Sequence, residues 1–245
     1  MIYRELTEQE YRDAESRILY EDNHLLVVNK RVGEIVQADI TEDETIQDLY
    51  KSYIAERDSK PGSVFIGIPH RLDRPVSGIV MLAKTSKALE RLNAMFRDGN
   101  IHKFYWALVC KKPPQDAAEL SCYLVRNERQ NKSYVFRGDP AGRKDVKSAR
   151  LRYRLTDTTD RYYLLEVELL TGRHHQIRCQ LADMGCPIKG DLKYGAPRSN
   201  PDGGICLHSR RVTFVHPVKK VEMTLEAPVP ESWKGLHVID RLTDF

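Results

Sequence analysis

The sequence predicts an α+β fold: a mixed, mostly antiparallel central sheet with helices packed on it. Three observations lead there. Segments with strand character outnumber helical ones. The two kinds do not alternate in the regular βαβ manner of a parallel sheet. From about 119 to 170 the apolar runs follow one another with only turn residues between them, as in a chain of hairpins. At 245 residues the chain is long enough to bury a substantial core.

Each element has a local reason. Thr7 and Glu10 stand in T-x-x-E spacing, so a capping box starts a leader helix that ends near Ser16. Ile18–Tyr20 and 25–28 read as two strands joined by a turn at 21–24. Ile46, Leu49, Tyr50 and Ile54 recur at helical spacing over 45–56. DSKPGS (58–63) is a loop, VFIGI (64–68) a strand, and GIVMLAK (78–84) a second, buried strand. Ser86 is placed to cap a helix whose stripe is Leu89, Leu92, Met95 and Phe96, with Gly99 at its end. IHKFYWALVC (101–110) is rich in aromatic and β-branched residues and predicts a strand. Its alternation puts Lys103, Tyr105 and Ala107 on one face and Phe104, Trp106 and Leu108 on the other, the second set reading as core. Short strands follow around Tyr123, 134–136, 148–155 and 162–170. HHQIRCQLADMG fits a helix from His174, capped by Gly185 and closed off by Pro187. Residues 206–217 and 220–228 predict a final strand pair.

Composition narrows the class. The chain is 41% hydrophobic and 30% charged, with a net charge of +4, which fits a globular protein. Five cysteines, none in C-x-x-C spacing, argue against a disulfide framework or a zinc site and for free thiols in a reducing compartment. The polar start lacks the apolar core of a secretion signal, and no apolar run approaches a membrane span. The expectation is a cytoplasmic protein, without membrane or metal partners, and monomeric. Residues 1–16 are expected as the leader helix and 17–245 as one domain.

Four segments carry possible chemistry. PHRLDRPVSG (69–78) sets Asp73 between Arg71 and Arg74. A turn aspartate is common, yet a carboxylate beside cations stays ionised and can act as nucleophile or stabilise a developing cation. TGRHHQIRCQ places Arg178 in the first turns of a helix, able to form a charge-assisted pair with a carboxylate on a neighbouring loop. Its adjacent histidines lack metal-ligand spacing. Tyr105, beside Lys103, offers a flat apolar surface with a polar tip that suits stacking on a nucleobase. GRKDVKSARLRYR (142–154) holds Arg143, Lys144, Lys147, Arg150, Arg152 and Arg154 against one acid, Asp145. Such a stripe favours a polyanion, with RNA the obvious candidate.

Together these segments resemble a known family. HRLDRPVSG is similar to the HRLDxxTSG motif of the RluA-type pseudouridine synthases, and TGRHHQIRCQLADMGCPIKGDLKYG to their TGRTHQIRxHLxxxGxPIxGDxxYG. ILYEDNHLLVVNKRVG, KFYWALV and LHSRRVTFVHP match the family's opening strands, its K-x-Y strand and its closing LHAxxLxFxHP. The likeness covers roughly 17–228. Arg31, Val76, His174 and Gln180 depart from the motifs, where the family has proline, threonine, threonine and histidine.

The resemblance implies a pseudouridine synthase fold with its catalytic cleft across the middle of the sheet and without the S4 RNA-binding domain that many relatives carry. The implied activity isomerises uridine in ribosomal or transfer RNA to pseudouridine, with no cofactor. Asp73 would be the catalytic residue, Arg178 its partner, and Tyr105 the platform under the uracil. Asp73 could attack C1′, attack C6 or remove the 2′ proton. His70, Arg71, Arg74, Lys103 and Leu207 would contact the substrate, and the 142–154 stripe the rest of the RNA. Two other classes fit less well. A non-catalytic RNA-binding or ribosome-associated protein has no need of a lone loop carboxylate near phosphates. An acid-nucleophile hydrolase normally brings a second carboxylate or a metal cluster.

Overall fold

The computed structural model describes residues 3–38, 41–59, 62–233 and 236. In chain order the elements are α1 (Glu8–Ser16), β1 (Ile18–Glu21), β2 (Leu25–Lys30), α2 (Ile46–Arg57), β3 (Ser77–Ala83) and α3 (Ser86–Arg97). Then come β4 (Ile101–Val109), β5 (Ala117–Asn127), β6 (Lys132–Phe136), β7 (Val146–Thr158) and β8 (Tyr163–Leu169). Finally come α4 (Gln176–Asp183), β9 (Leu207–Val215) and β10 (Glu222–Glu226), with short 3-10 turns at Leu192–Tyr194 and Glu231–Trp233. Lys60 and Pro61, inside the expected 58–63 loop, lie outside the described residues. No helix among the described residues is long and apolar enough to cross a membrane.

The chain divides into two compact units: Met1–Ile101 with Arg211–Pro228, and His102–Arg210 with Val229–Phe245. In the first unit β1, β2 and β3 form an antiparallel run, and β10 pairs antiparallel with residues 211–215 of β9. Every residue of β3 is buried, which is why its sequence is one apolar run without alternation. Leu25 and Val27 of β2, Ile79 and Met81 of β3, and Ala88 and Leu92 of α3 share one core, joined by Val212 and Phe214. Full burial of such side chains contributes roughly 1.5–3 kcal/mol each. The capping box at Thr7 and Glu10 closes as its spacing predicts. Tyr50 ties α2 to α1 through a 2.9 Å hydrogen bond from its hydroxyl to the Ala14 carbonyl.

In the second unit the antiparallel order is β4-β8-β7-β5-β6. One face of this sheet packs on α4: Leu124 and Ala149 meet Cys179, with Tyr194 of the 3-10 turn in the same cluster. β6 is the outermost strand. The backbone N–H of Ser133 donates to the Tyr194 hydroxyl at 2.9 Å, and that hydroxyl reaches the Ser133 carbonyl at 3.2 Å.

Four local expectations are corrected. VFIGI is no strand: it makes a single bridge, Gly67 to Ala83. Gly67 lies so close to Leu89 that a Cβ would come within 2.7 Å, and Pro69 has no N–H to extend a ladder. The cap of α3 is Thr85, not Ser86. Thr85 is extended (φ −140°) and its Oγ1 accepts the Ala88 N–H at 3.2 Å. The helix expected from His174 begins at Gln176, because His175 takes a left-handed conformation (φ +52°). Phe104 and Trp106 are only half-buried, while Tyr105 and Ala107 are buried. The register explains this: Phe104 and Trp106 lie opposite Glu168 and Glu166 on an open, charged face, whereas Tyr105 and Ala107 lie opposite Val167 and Leu165.

Candidate active site

In the first unit the loop before β3 presents Asp73. Its carbonyl accepts the Val76 N–H at 3.0 Å, closing a turn over Arg74 and Pro75, and its side chain is half-exposed. The loop is anchored from beneath by Lys30, at the end of β2 and 1% exposed. The Lys30 ammonium donates to the carbonyls of Arg31 at 2.8 Å, Arg74 at 3.1 Å and Val76 at 2.6 Å. Burial pulls this amine down to about 7, opposed by the charges of Glu34 and Asp73. Three acceptors use all three protons of the charged form. Replacing Lys30 with Met leaves two carbonyls of the Asp73 turn, those of Arg74 and Val76, without that donor. The expected result is a loss of at least about 2 kcal/mol of stability, read by urea unfolding. An unchanged unfolding midpoint would remove Lys30 from this role.

The neighbours of Asp73 are committed as well. His70 Nε2 accepts the Met81 N–H at 2.8 Å, and its ring stacks on Phe96 at 4.6 Å, so His70 shapes the loop. Arg74 donates to Thr41 at 2.6 Å and pairs with Asp43 at 2.7 Å. Arg71 is exposed. Val76, one of the motif departures, is buried.

In the second unit Tyr105 projects from the buried face of β4, beside Lys103, whose amine is pushed down by desolvation. Leu207 is buried at the start of β9. Arg178 is 5% exposed on α4. Its Nε donates to Asp191 Oδ2 at 2.7 Å and its Nη2 to Asp191 Oδ1 at 2.9 Å, a bidentate fork. The guanidinium also lies over the Tyr194 ring at 5.1 Å. Sequence reasoning missed both Asp191 and Lys30. Each carried a signal: Asp191 is the acid of the GDLKYG end of the long motif, and Lys30 closes a strand that starts Leu-Leu-Val-Val, although lysine is rarely buried.

The start of α4 is a polar knot. His175 is buried, stacks on His174 at 3.8 Å, and its Nδ1 lies 3.0 Å from the Tyr194 hydroxyl. Ser133 Oγ donates to the His174 carbonyl at 2.7 Å. Gln180, also a motif departure, is buried and donates to the Leu120 carbonyl at 3.2 Å. Desolvation first, then the charges of Arg178 and His174, push the His175 imidazole from 6.5 down to about 2. The native protein therefore keeps His175 neutral while the unfolded chain takes up a proton as the pH falls. Stability from this site is intact above about pH 6.5 and drains away toward pH 2. Asn tolerates the left-handed backbone. His175→Asn is thus expected to lose about 2 kcal/mol less stability than the parent between pH 7 and pH 5, measured by urea titration. Parallel pH curves would refute the assignment.

The basic stripe looks different in space. Arg150 and Arg152 both pair with Glu119, at 2.7 and 3.0 Å, and Arg154 with Glu166 at 3.2 Å. Arg143 pairs with Asp145 at 2.5 Å. Cross-strand glutamates, distant in sequence, thus balance the arginines of β7, whereas Lys144 and Lys147 are exposed. Among the described residues no three His, Cys, Asp or Glu side chains converge as a metal site.

Comparison with known proteins agrees with this architecture. A family model described as RNA pseudouridylate synthase matches residues 24–183. The ribosomal large subunit pseudouridine synthase C of Vibrio cholerae is 32% identical over 224 residues, covering 89% of this chain and 67% of that protein. The ribosomal large subunit pseudouridine synthase D of Zymomonas mobilis is 30% identical over 237 residues, covering 93% and 73%. Among solved structures, human RNA Pseudouridylate Synthase Domain Containing 4 superposes with a TM-score of 0.76 at 23% identity, over 97% of this chain and 98% of that one. The structural likeness carries the fold.

Proposed function

Because this chain belongs to the RNA pseudouridylate synthase family, and so isomerises uridine in RNA to pseudouridine, we propose that Asp73 is its catalytic group. The observation that supports this most is the anchoring of the Asp73 turn. A buried ammonium fixes two carbonyls of the turn that directly follows a half-exposed carboxylate, which is preorganisation of the kind catalysis needs. In the reaction the N1–C1′ bond breaks, the uracil turns, and a C5–C1′ bond forms. C5 gives up its proton and N1 gains one. The target base has to leave its stack first, and a carboxylate on an immobile loop meets it without further rearrangement.

Arg178 and Tyr105 belong to the same proposal. In it Arg178 is a fixed positive charge and Tyr105 a flat surface against the uracil. Arg71 and Lys103 are suited to phosphate. Leu207 forms an apolar wall, and His70 and Arg74 contribute by holding the loop. Lys144 and Lys147 reach RNA beyond the target nucleotide, and Arg143 joins them by giving up Asp145. Arg150, Arg152 and Arg154 do so only by giving up glutamate partners. The five cysteines are free thiols, which supports a cytoplasmic protein; we take it to be monomeric. The names of the relatives make large-subunit ribosomal RNA the first substrate to test, with transfer RNA as the second.

The direct experiment is tritium release from RNA labelled at uridine C5. Release from ribosomal RNA taken from cells lacking this chain is expected. No release from any cellular RNA would leave the non-catalytic RNA-binding reading in its place.

A further inference from the structure

On the second unit's sheet, the face opposite α4 carries an aromatic patch that the reaction does not use. Tyr123 of β5 lies directly across from Phe136 of β6, and Val125 across from Tyr134, so all four side chains share one surface. Tyr123 is 42% exposed and Tyr134 39%. Large rings left this open on neighbouring strands call for an explanation. The rings are held in place. The Tyr134 hydroxyl donates to Gln130 at 2.5 Å. The Phe136 ring rests against Gly138, where a Cβ would come within 2.7 Å of it.

Cations accompany the rings. The Arg143 guanidinium lies over Phe136 at 4.9 Å, and the Lys132 ammonium over Tyr134 at 5.2 Å. Positions 123–148 contain seven Lys and Arg against three Asp and Glu. That net +4 equals the charge of the whole chain, so the remainder is neutral and the entire formal excess sits on this arm. Arg126, Arg129, Lys144 and Lys147 of the arm are exposed.

We infer that the outer face of β5 and β6 is a second RNA-binding surface, on which Tyr123 and Tyr134 stack unpaired bases while the arm's cations follow the backbone. The inference rests on the chain acting on RNA and adds a contact remote from the reacting uridine. Base-on-ring stacking takes any nucleobase whose face is open, so the occupant is single-stranded RNA rather than a duplex. A protein partner fits less well, because lysine is depleted from protein interfaces and here lies over a ring. Tyr123 and Tyr134 are diagonal neighbours on adjacent strands, roughly 7–8 Å apart, far enough to take two different bases.

The test uses a fluorescein-labelled, unstructured RNA oligonucleotide without uridine, so that the reaction site is not engaged, and reads its affinity by anisotropy. Tyr123→Leu/Tyr134→Leu keeps apolar area but removes the rings, and is expected to weaken binding at least about tenfold. Tyr123→Phe/Tyr134→Phe is expected to bind as the parent does. With full-length substrate RNA the leucine pair should raise KM and leave kcat unchanged. Asp73→Asn should bind the oligonucleotide normally, so failure of the catalytic assignment and failure of this surface appear in different measurements. Parental oligonucleotide affinity in the leucine pair would overturn the inference. So would a leucine pair that changes only the oligomeric state, since the face would then serve protein contact.

Discussion

Asp73→Asn is expected to lower the rate of tritium release at least about a thousand-fold, the scale seen when a catalytic nucleophile is removed. The substitution keeps the shape of the side chain and removes its charge and its basicity. The turn around it is held through backbone groups: the Asp73 carbonyl on the Val76 N–H and Lys30 on the carbonyls of Arg74 and Val76. Asn does not disturb these, so the thermal midpoint should stay near that of the parent and the lost rate would be chemical in origin. Adding Arg178→Lys should cost little beyond the worse single variant, because residues that work as one unit are not additive. Near-parental turnover in Asp73→Asn would end the assignment, and full additivity would separate Arg178 from it.

The second large effect is on stability. Arg178 and Asp191 are 5% and 1% exposed and share a two-point contact. Removing one member of a buried pair leaves the other charged in a poorly solvated place, at about 3–5 kcal/mol. Asp191→Ala should therefore lower the thermal midpoint by roughly 6–20 °C, given about 2–4 °C per kcal/mol for a chain of this size. Replacing both residues with apolar ones of similar volume, Arg178→Met with Asp191→Leu, should recover most of that stability without recovering turnover. Recovery of both would make the pair structural only, and an Asp191→Ala protein as stable as the parent would show that the fork contributes little.

Different parts of this molecule were legible to different degrees. Periodicity located the helices and most strands, because α3 and β7 each bury one face and β3 buries both. It failed where a single residue decides. Pro69 cuts the 64–68 segment to one bridge, and the positive φ of His175 delays α4 by a turn position. On β4 the alternation was right and Leu108 is buried as expected, but Phe104 and Trp106 are not core, since only the register of β8 shows that Glu168 and Glu166 lie opposite them. The candidate site residues could be named from motifs because short patterns keep fixed spacing. Asp191 and Lys30 act by contact with groups elsewhere in the chain, and counting along the sequence does not reveal such partners. The same blindness made the β7 arginines look unbalanced until Glu119 and Glu166 were seen across the strands.

The phenol of Tyr194 has one more consequence. By taking both main-chain polar groups of Ser133, it denies an incoming strand its first point of attachment at the sheet margin. Another chain pairing along β6 would first have to displace this phenol from Ser133.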